Sequence, residues 1–434
     1  MRASEPPQQR ALQTAYSAFL LIAIGRLGEL VPGLGSLPLA RIAMGICIFV
    51  LWRRWKELPK LASVSTPLQR TGFALLALAL LTTPFSVLPG NSVSFLLQQV
   101  PVIAATMIVA AKLAGSDWWY AKRIFYTLVV SGALLAFFAV SGFNGGRASA
   151  STTYDTNDLA YLLVSVLPLA LGFAITGKTR VRRAMHAISA GLIALALLLT
   201  SSRGGFLGLL AASAVVVLFP IKPPELKNGV SKSRNRVIAT LVAILALSAL
   251  VWPFLPDETK HHLSTLLSLE GDYNMDTSNS QSRSSIWERN FNAALERPIG
   301  YGIDSFLFVD AKTGGRYRAP HNSYLQVLVE LGFVGLLLFV RLYIQSWRAL
   351  GRARSLLLSS AQSAERDQAI VFARMLQATL AGNAVAAFFL SMAYSTALWT
   401  VLGIIVGYSS FVSRIYLTSL HKADGSKPIA ANAV

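Results

Sequence analysis

The chain has 434 residues, of which 54% are hydrophobic and 14% are charged, and its formal net charge is +19. The apolar residues fall in long uninterrupted runs rather than in stripes, which excludes a soluble fold and is typical of a protein that is solvated by lipid. The basic residues cluster in short linkers between these runs, as in cytoplasmic loops, and this pattern argues against nucleic-acid binding.

Twelve apolar segments follow a short polar N-terminus, and we predict that each crosses the membrane as a helix. No convincing small-residue cleavage site is present, so the first segment is expected to be retained rather than removed as a signal peptide. The predicted fold class is an all-α polytopic membrane protein, with 1–434 as a single integral membrane domain. The predicted spans are 15–31, 37–51, 71–82, 96–114, 124–140, 159–176, 185–199, 206–219, 237–255, 324–343, 371–389 and 396–412.

Charge in alternate linkers predicts the orientation of these spans. Four linkers are rich in Lys and Arg, and the positive-inside rule places them in the cytoplasm together with both termini. The other linkers, including a long loop between the ninth and tenth spans, are expected to face outward. The single cysteine, Cys47, lies within a span and offers neither a disulfide nor a thiolate metal site. The basic linkers are 53–60, 178–183, 222–236 and 348–354.

The long outer loop, 256–320, differs in composition from the rest of the chain. Between 257 and 318 it contains nine acidic residues against seven Lys and Arg. Ser285 and Glu288 form a capping-box pattern, and apolar residues recur after it at helical spacing. We therefore predict an amphipathic helix that ends near residues 297–298 and lies on the membrane surface or on the bundle. Its apolar residues are Trp287, Phe291 and Leu295.

Three arginines lie on the predicted outer side, where the positive-inside rule makes arginine least expected. Arg147 sits in the glycine-rich sequence FNGGRAS, and Arg203 sits in TSSRGG, which is the whole connection between two spans. Arg283 directly precedes the predicted amphipathic helix, where helix amides also favour an anion. Each could be a solvated or lipid-facing arginine, or each could bind phosphate through paired hydrogen bonds.

His321 is predicted to lie where the long loop enters the tenth span. Asn322, Gln326 and Glu330 form a polar stripe at four-residue spacing along that helix, and such a stripe must face the protein interior. An imidazole at the outer rim could accept a proton from a sugar hydroxyl. A structural role for this histidine is the alternative.

Other kinds of site are disfavoured by the sequence. The outer loops contain no Asp-x-Asp pair and no His or Cys cluster with metal-ligand spacing, so a metal-held diphosphate is not expected. No glycine-rich phosphate loop ends in Lys-Ser or Lys-Thr, so nucleotide hydrolysis is not expected either. Arg26 and Glu29, three residues apart in the first span, are predicted to form a structural ion pair.

The motifs together resemble a known family. The sequence has SSRGG between two spans, then SRSSIW and RPIGYGIDSF in the long loop, and finally HNSYLQVLVELGFVG. This combination resembles the O-antigen ligase and O-antigen polymerase superfamily, and is most similar to the ligases. The resemblance covers roughly residues 159–343 at the level of motifs and the whole chain in topology. Members are similar to polytopic C-class glycosyltransferases.

The resemblance implies a bacterial inner-membrane enzyme with a periplasmic active site and no cofactor. The donor would be a glycan on undecaprenyl diphosphate, and the acceptor of a ligase would be a sugar of the lipid A core. Transfer would be inverting and independent of metal. The essential arginines of the family fall on Arg203 and Arg283 and its histidine on His321, while Arg147 is added from its position and chemistry. Asn322 and Tyr324 are expected to support the histidine.

Two other functions stay open at the level of sequence. A polymerase of the same superfamily would lengthen the lipid-linked glycan; a ligase is favoured because the chain is compact and has no large soluble C-terminal domain. A flippase or transporter for lipid-linked glycans could also have about twelve spans. A transporter should place ionisable residues near the membrane midplane, whereas the residues singled out above gather at the outer rim.

Overall fold

The computed structural model describes residues 7–30, 37–53, 55–57, 66–150, 155–219, 282–316, 319–360 and 362–423, with Pro253, Asp257 and Lys260. Helices dominate these residues and no strand occurs among them, which confirms the all-α class. The helices, in chain order, are α1 Pro7–Ala23, α2 Leu27–Leu30, α3 Leu39–Arg53, α4 Thr66–Thr82, α5 Pro89–Gln98, α6 Val100–Ser116, α7 Trp118–Ser141, α8 Thr156–Thr176, α9 Arg180–Leu199, α10 Arg203–Leu218, α11 Arg283–Glu296, α12 Phe306–Lys312, α13 Ser323–Ser359, α14 Ala364–Ala386 and α15 Thr396–Ala423.

Eight helical segments in the described part of the chain are long and apolar enough to cross a membrane, as expected for a polytopic membrane protein. Helices α1, α3 and α10 are shorter, at 17, 15 and 16 residues. The predicted span 237–255 lies outside the described residues, so the total of twelve stays a prediction. The eight segments are Pro67–Phe85, Pro89–Ser116, Trp118–Ser141, Thr156–Thr176, Arg180–Leu199, Ser323–Ser359, Ala364–Ala386 and Thr396–Leu420.

Two predicted spans have boundaries that differ from those of the structure for identifiable reasons. The first, predicted at 15–31, ends as α1 at Ala23, because Arg26 adopts a left-handed φ of +51° that no helix can continue through. Beyond this turn the Nη1 atom of Arg26 lies 3.2 Å from Oε1 of Glu29, which confirms the predicted ion pair. The span predicted at 96–114 lies within the longer helical segment Pro89–Ser116, in which a turn at Gln99, before a proline in the first turn of α6, separates α5 from α6.

The bundle is held together by close helix packing. Helix α15 packs along α6, α10 along α14, and α8 against both α9 and α14. The α6–α15 contact depends on small residues: a Cβ atom on Gly407 would lie 2.2 Å from the carbonyl oxygen of Ala111. Such close backbone approach compensates for the weak hydrophobic driving force between helices in lipid.

Helix α13 reverses direction at Gly332. This residue has φ +68° and ψ −169°, which lies outside the helical region. The ring of Tyr324 lies 5.5 Å from that of Phe339 and 6.3 Å from that of Tyr343. In a straight helix these pairs would be separated along the axis by about 22 and 28 Å. Residues 323–331, which we call α13a, therefore fold back on residues 333–359, which we call α13b.

The prediction of one continuous span over 324–343 is therefore wrong. Breaking a helix frees backbone groups that must find other partners inside a membrane protein. The segment around Gly300 supplies them: Tyr301 N donates to Val329 O at 2.8 Å and Gly302 N donates to Glu330 O at 2.9 Å. A Cβ atom on Gly332 would lie 2.1 Å from the carbonyl oxygen of Pro298, so only glycine fits at the crossing.

Helices α11, α12 and α13a form a small layer on one end of the bundle, which we call the cap layer (residues 282–331). The layer has its own apolar core, in which α11 and α12 pack against α13a. A buried ion pair also joins α11 to α12, since Nη2 of Arg289 lies 2.8 Å from Oδ1 of the fully buried Asp310. The core residues are Ala293, Ala294, Phe306, Val309, Leu325, Leu328 and Val329.

We expect Gly332→Ala to destabilise the protein strongly. The new Cβ atom would clash with the backbone of Pro298, and alanine at this φ adds strain of about 1–3 kcal/mol before any clash is counted. The measurement is the thermal unfolding temperature in detergent. Gly351→Ala is the matched control, because a Cβ atom there meets nothing within 4 Å and the helical site favours alanine. Equal melting temperatures for the two variants would contradict the assigned reversal.

Candidate active site between the cap layer and the bundle

His321 lies immediately before α13a in a strained backbone conformation. Its φ is +45°, which is uncommon for any residue except glycine. The next residue, Asn322, caps the helix by accepting hydrogen bonds from the backbone amides of Tyr324 and Leu325, both at 3.0 Å. Asn322 thus fixes the start of the helix that directly follows His321, which is the way in which it could support the histidine.

Arg283 is the first residue of α11. The helix is capped by Ser282, whose Oγ accepts a hydrogen bond from Ser285 N at 3.2 Å, so the predicted capping box at Ser285 is wrong. The helix begins earlier because Ser282 already has the extended backbone that a cap needs. A helix does occupy the predicted position, and it ends at Glu296.

The buried face of α11 differs from the predicted apolar face. Ile286, Ala293 and Ala294 are buried, while Phe291 and Leu295 are about half exposed, at 48% and 54%. Trp287 is partly buried, and its indole Nε1 donates to the carbonyl oxygen of Pro320 at 2.6 Å. This bond joins α11, one turn after Arg283, to the residue that precedes His321.

Arg203 is the first residue of α10. The turn before it includes Ser201 at φ +52°, and Ser202 caps the helix by accepting from Gly205 N at 3.3 Å. A Cβ atom on Gly204 would lie 2.5 Å from Cβ of Phe389, so the start of α10 packs directly on that phenylalanine. The two glycines after Arg203 therefore permit close packing rather than a flexible loop.

The connection between α14 and α15, residues 387–395, brings these three elements together. The ring of Phe388 lies 5.3 Å from Trp287 of α11 and 5.4 Å from its neighbour Phe389, which packs on α10. Ser323 N of α13a donates to Ala387 O at 2.8 Å. The starts of α10 and α13a and the second turn of α11 thus contact one short connection, through Gly204, Ser323 and Trp287.

Arg147 lies beside the turn that precedes Arg203. Its Nε donates to the carbonyl oxygen of Thr200 at 3.0 Å, and its Nη2 donates to Oδ1 of Asn157 at 2.9 Å. Asn157 is itself held in the first turn of α8, because its backbone amide donates to the capping residue Asp155 at 2.7 Å. Arg147 and Arg203 therefore lie on neighbouring segments of the chain at the same end of the bundle.

The predicted polar stripe on α13a faces the protein interior, as expected. Asn322, Gln326 and Glu330 are all buried. Tyr324, the second predicted supporting residue, donates its hydroxyl to Ala384 O at 2.9 Å and so ties α13a to the end of α14. Within the described ranges, no group of three His, Cys, Asp or Glu residues is arranged to hold a metal ion.

Several residues around the candidate site escaped sequence analysis. Asn157 was assigned to the outer linker before the span 159–176, and Phe388 and Phe389 were assigned to the end of the span 371–389. The two phenylalanines cannot be distinguished by residue type from ordinary residues of a span, because aromatic side chains are common near the ends of membrane helices. One feature of the sequence could have indicated the crossing of the two segments. Gly300, Gly302 and Gly332 are residues that allow two backbone segments to approach closely.

The comparison with protein families agrees with these motifs. The O-antigen ligase family model matches residues 188–340, which include Arg203, Arg283 and His321. This match, over about a third of the chain, supports an assignment to the O-antigen ligase and polymerase superfamily. This assignment supports a glycosyltransferase-type enzyme in a membrane, acting on lipid-linked glycan and a lipid acceptor. A search of curated proteins finds no match to the chain.

Proposed function

We propose that this protein is an O-antigen ligase of the bacterial inner membrane. It transfers a glycan from undecaprenyl diphosphate to a sugar hydroxyl of the lipid A core, at the periplasmic end of the bundle. The observation that supports this most is the convergence of α10, α11 and α13a on residues 387–395, because each of these elements carries a proposed site residue at its start or just before it.

In the proposed mechanism the arginines bind the leaving group. The glycosidic bond between the anomeric carbon and the diphosphate breaks, and negative charge grows on the diphosphate as undecaprenyl diphosphate departs. Arg147, Arg203 and Arg283 stabilise this charge, since guanidinium groups donate paired hydrogen bonds to phosphate oxygens. Three fixed cations take the place that a divalent ion has in other glycosyltransferases, so the reaction needs no metal.

His321 acts as the general base in this proposal. The acceptor hydroxyl attacks the anomeric carbon from the face opposite the diphosphate, which inverts the configuration, and its proton passes to the imidazole. Asn322 and Tyr324 fix the imidazole in place, the first by capping α13a and the second by its bond to Ala384. The left-handed backbone conformation of His321 supports this role, because strained conformations of this kind cluster at active sites.

The cap layer is proposed to lie on the periplasmic side. The basic linkers 178–183 and 348–354 are at the opposite ends of their helices from the residues that begin α10 and α13a, as the positive-inside rule requires. The half-exposed Phe291 and Leu295 of α11 would then contact the outer surface of the membrane.

One reconstitution tests the proposal against its rivals. Purified protein is mixed with undecaprenyl-diphosphate-linked glycan and rough lipopolysaccharide in the presence of a metal chelator. Glycan attached to lipopolysaccharide is the expected product. Elongated lipid-linked glycan would identify a polymerase, and glycan moved across a liposome membrane without transfer would identify a flippase.

Asn157→Asp is expected to weaken donor binding through Arg147. The new carboxylate would sit about where the amide oxygen accepts at 2.9 Å, and would compete with the diphosphate for the same guanidinium. We expect the KM for the lipid-linked donor to rise about tenfold, with a smaller change in kcat. Asn91→Asp adds the same charge at an exposed position of α5 and is the matched control. Equal donor KM values for both variants would remove Arg147 from the donor site.

A further inference from the structure

Glu330 is a fully buried carboxyl group at the end of α13a, two residues before the reversal at Gly332. Neither of its carboxyl oxygens has a hydrogen bond of normal length and angle to another described residue. A buried acid without hydrogen bonds costs several kcal/mol, so a residue of this kind in a membrane protein is retained for a reason. The proposed transfer reaction makes no use of it.

Three groups with N–H or O–H donors face this carboxyl. They are the hydroxyl of Tyr394, the backbone amide of Asp304 and the side-chain amide of Gln326. The Tyr394 hydroxyl is likewise buried without a hydrogen bond of normal geometry. The Asp304 side chain is the other titratable group near it, and burial raises the pKa of that carboxyl. Glu330 is thus surrounded by hydrogen-bond donors, and a small movement of the Tyr394 side chain would bring its hydroxyl into a hydrogen bond with the carboxylate.

The three donors belong to elements that meet at the candidate site. Tyr394 lies on the 387–395 connection, which also carries Phe388 and Phe389. The same connection is bound to the start of α13a, since Ser323 Oγ donates to Leu390 O at 2.5 Å and accepts from Met392 N at 2.8 Å. Glu330 meets this connection at the far end of α13a, and the two attachments together set the direction of the helix.

Asp304 belongs to the segment of the cap layer that crosses the reversal. The adjacent Ile303 is fully buried, and its carbonyl oxygen accepts from Ser92 Oγ at 2.5 Å. Val87 N donates to Tyr301 O at 2.9 Å. Asp304 has a left-handed φ of +62°, which turns the chain at this point. Glu330 therefore faces the cap layer where that layer is already attached to the bundle.

We propose that Glu330 is a positioning residue, which accepts hydrogen bonds from the Tyr394 hydroxyl and the Asp304 amide and so locks α13a between the 387–395 connection and the cap layer. The lock holds His321 and Arg283 in a fixed relation to Arg203. Its catalytic consequence rests on the proposed function, whereas the lock itself does not. An amide at position 330 can accept the same two bonds, but an alkyl side chain cannot.

A labelling experiment tests the lock without any assay of activity. In a Cys47→Ser background, Ile303→Cys places a thiol at a fully buried position beside Asp304. A bulky water-soluble maleimide should label it about tenfold faster in Glu330→Leu or Tyr394→Phe than in the parent or in Glu330→Gln, because local opening exposes the thiol. Ile299→Cys, 63% exposed in the native protein, should react at one rate in all backgrounds. Slow labelling of Ile303→Cys in Glu330→Leu would overturn the lock.

Kinetics test the consequence at the active site. We expect Glu330→Leu and Tyr394→Phe to lower kcat, the double variant to be no worse than Glu330→Leu alone, and Glu330→Gln to keep the native rate and pH profile. Glu296→Gln, at an exposed site on α11, is the matched control. Loss of activity or a changed pH profile in Glu330→Gln would assign a chemical role and overturn positioning. A native protein inactive in every transfer assay, with labelling as expected, would reject the proposed function and leave the lock in place.

Discussion

Replacing His321 with alanine is expected to abolish glycan transfer while leaving donor binding intact. A general base contributes about 10² to 10⁴-fold to the rate, and the proposed mechanism assigns this role to the imidazole alone. The measurements are the turnover number in the reconstituted assay and the affinity for undecaprenyl diphosphate, which lacks the glycan and needs no base.

Two further variants separate the imidazole from the backbone that carries it. His321 has φ +45°, so alanine at this position adds strain as well as removing the ring. His321→Asn keeps a side chain that tolerates a left-handed conformation and should be as inactive as alanine. His186→Ala is the matched control. His186 lies on α9, its ring centroid is 5.1 Å from that of Phe173 on α8, and it is not part of the candidate site. Native turnover in His321→Asn would refute the assignment of the base.

Removal of either Arg203 or Arg283 is expected to reduce kcat/KM for transfer by about 10² to 10³-fold, as for the loss of one donor to a developing anion. Each is the first residue of a helix, after a serine that makes the cap. Alanine should therefore leave both helices intact. The measurement is steady-state kinetics on the lipid-linked donor, with thermal unfolding as a check on folding.

The pattern among arginine variants is as informative as the size of the effect. Lysine at either position should restore only part of the activity, because it cannot donate the paired hydrogen bonds of a guanidinium. The double variant should lose less than the product of the single losses, since both groups act on one diphosphate. Arg182→Ala, on the exposed first turn of α9, is the control. A native kcat/KM in Arg203→Ala would exclude diphosphate binding by the start of α10.

Much of the fold could be predicted from the sequence because the signal is local. An uninterrupted apolar run needs no knowledge of its neighbours to be recognised as a helix in lipid, and eleven of the twelve predicted spans coincide with helical residues in the described ranges. The amphipathic helix α11 and the interior-facing stripe of Asn322, Gln326 and Glu330 were also visible, since a helical period fixes which residues share a face.

The errors have a common cause in contacts between distant residues. Segments 323–331 and 333–359 are merged by hydropathy, whereas the backbone angles of Gly332 and the packing of Tyr324 on Phe339 show that the chain reverses. The sequence also left open whether the apolar side of α11 faces the bundle or the membrane surface, for the same reason. Its partner is α13a, and residues that face neither α13a nor α12, such as Phe291 and Leu295, stay exposed whatever their hydrophobicity.

The sequence by itself determined that the chain is a helical membrane protein. It also determined that two arginines and a histidine lie at or next to the starts of helices. Composition, charge asymmetry and short motifs around Arg203, Arg283 and His321 carry that information, because each depends on neighbouring residues alone. Tertiary structure decided that α10, α11 and α13a all contact residues 387–395, that α13 folds back, and that Glu330 ends near Tyr394 and Asp304. Those arrangements depend on side-chain packing and hydrogen bonds between segments far apart in the chain, which no local pattern records.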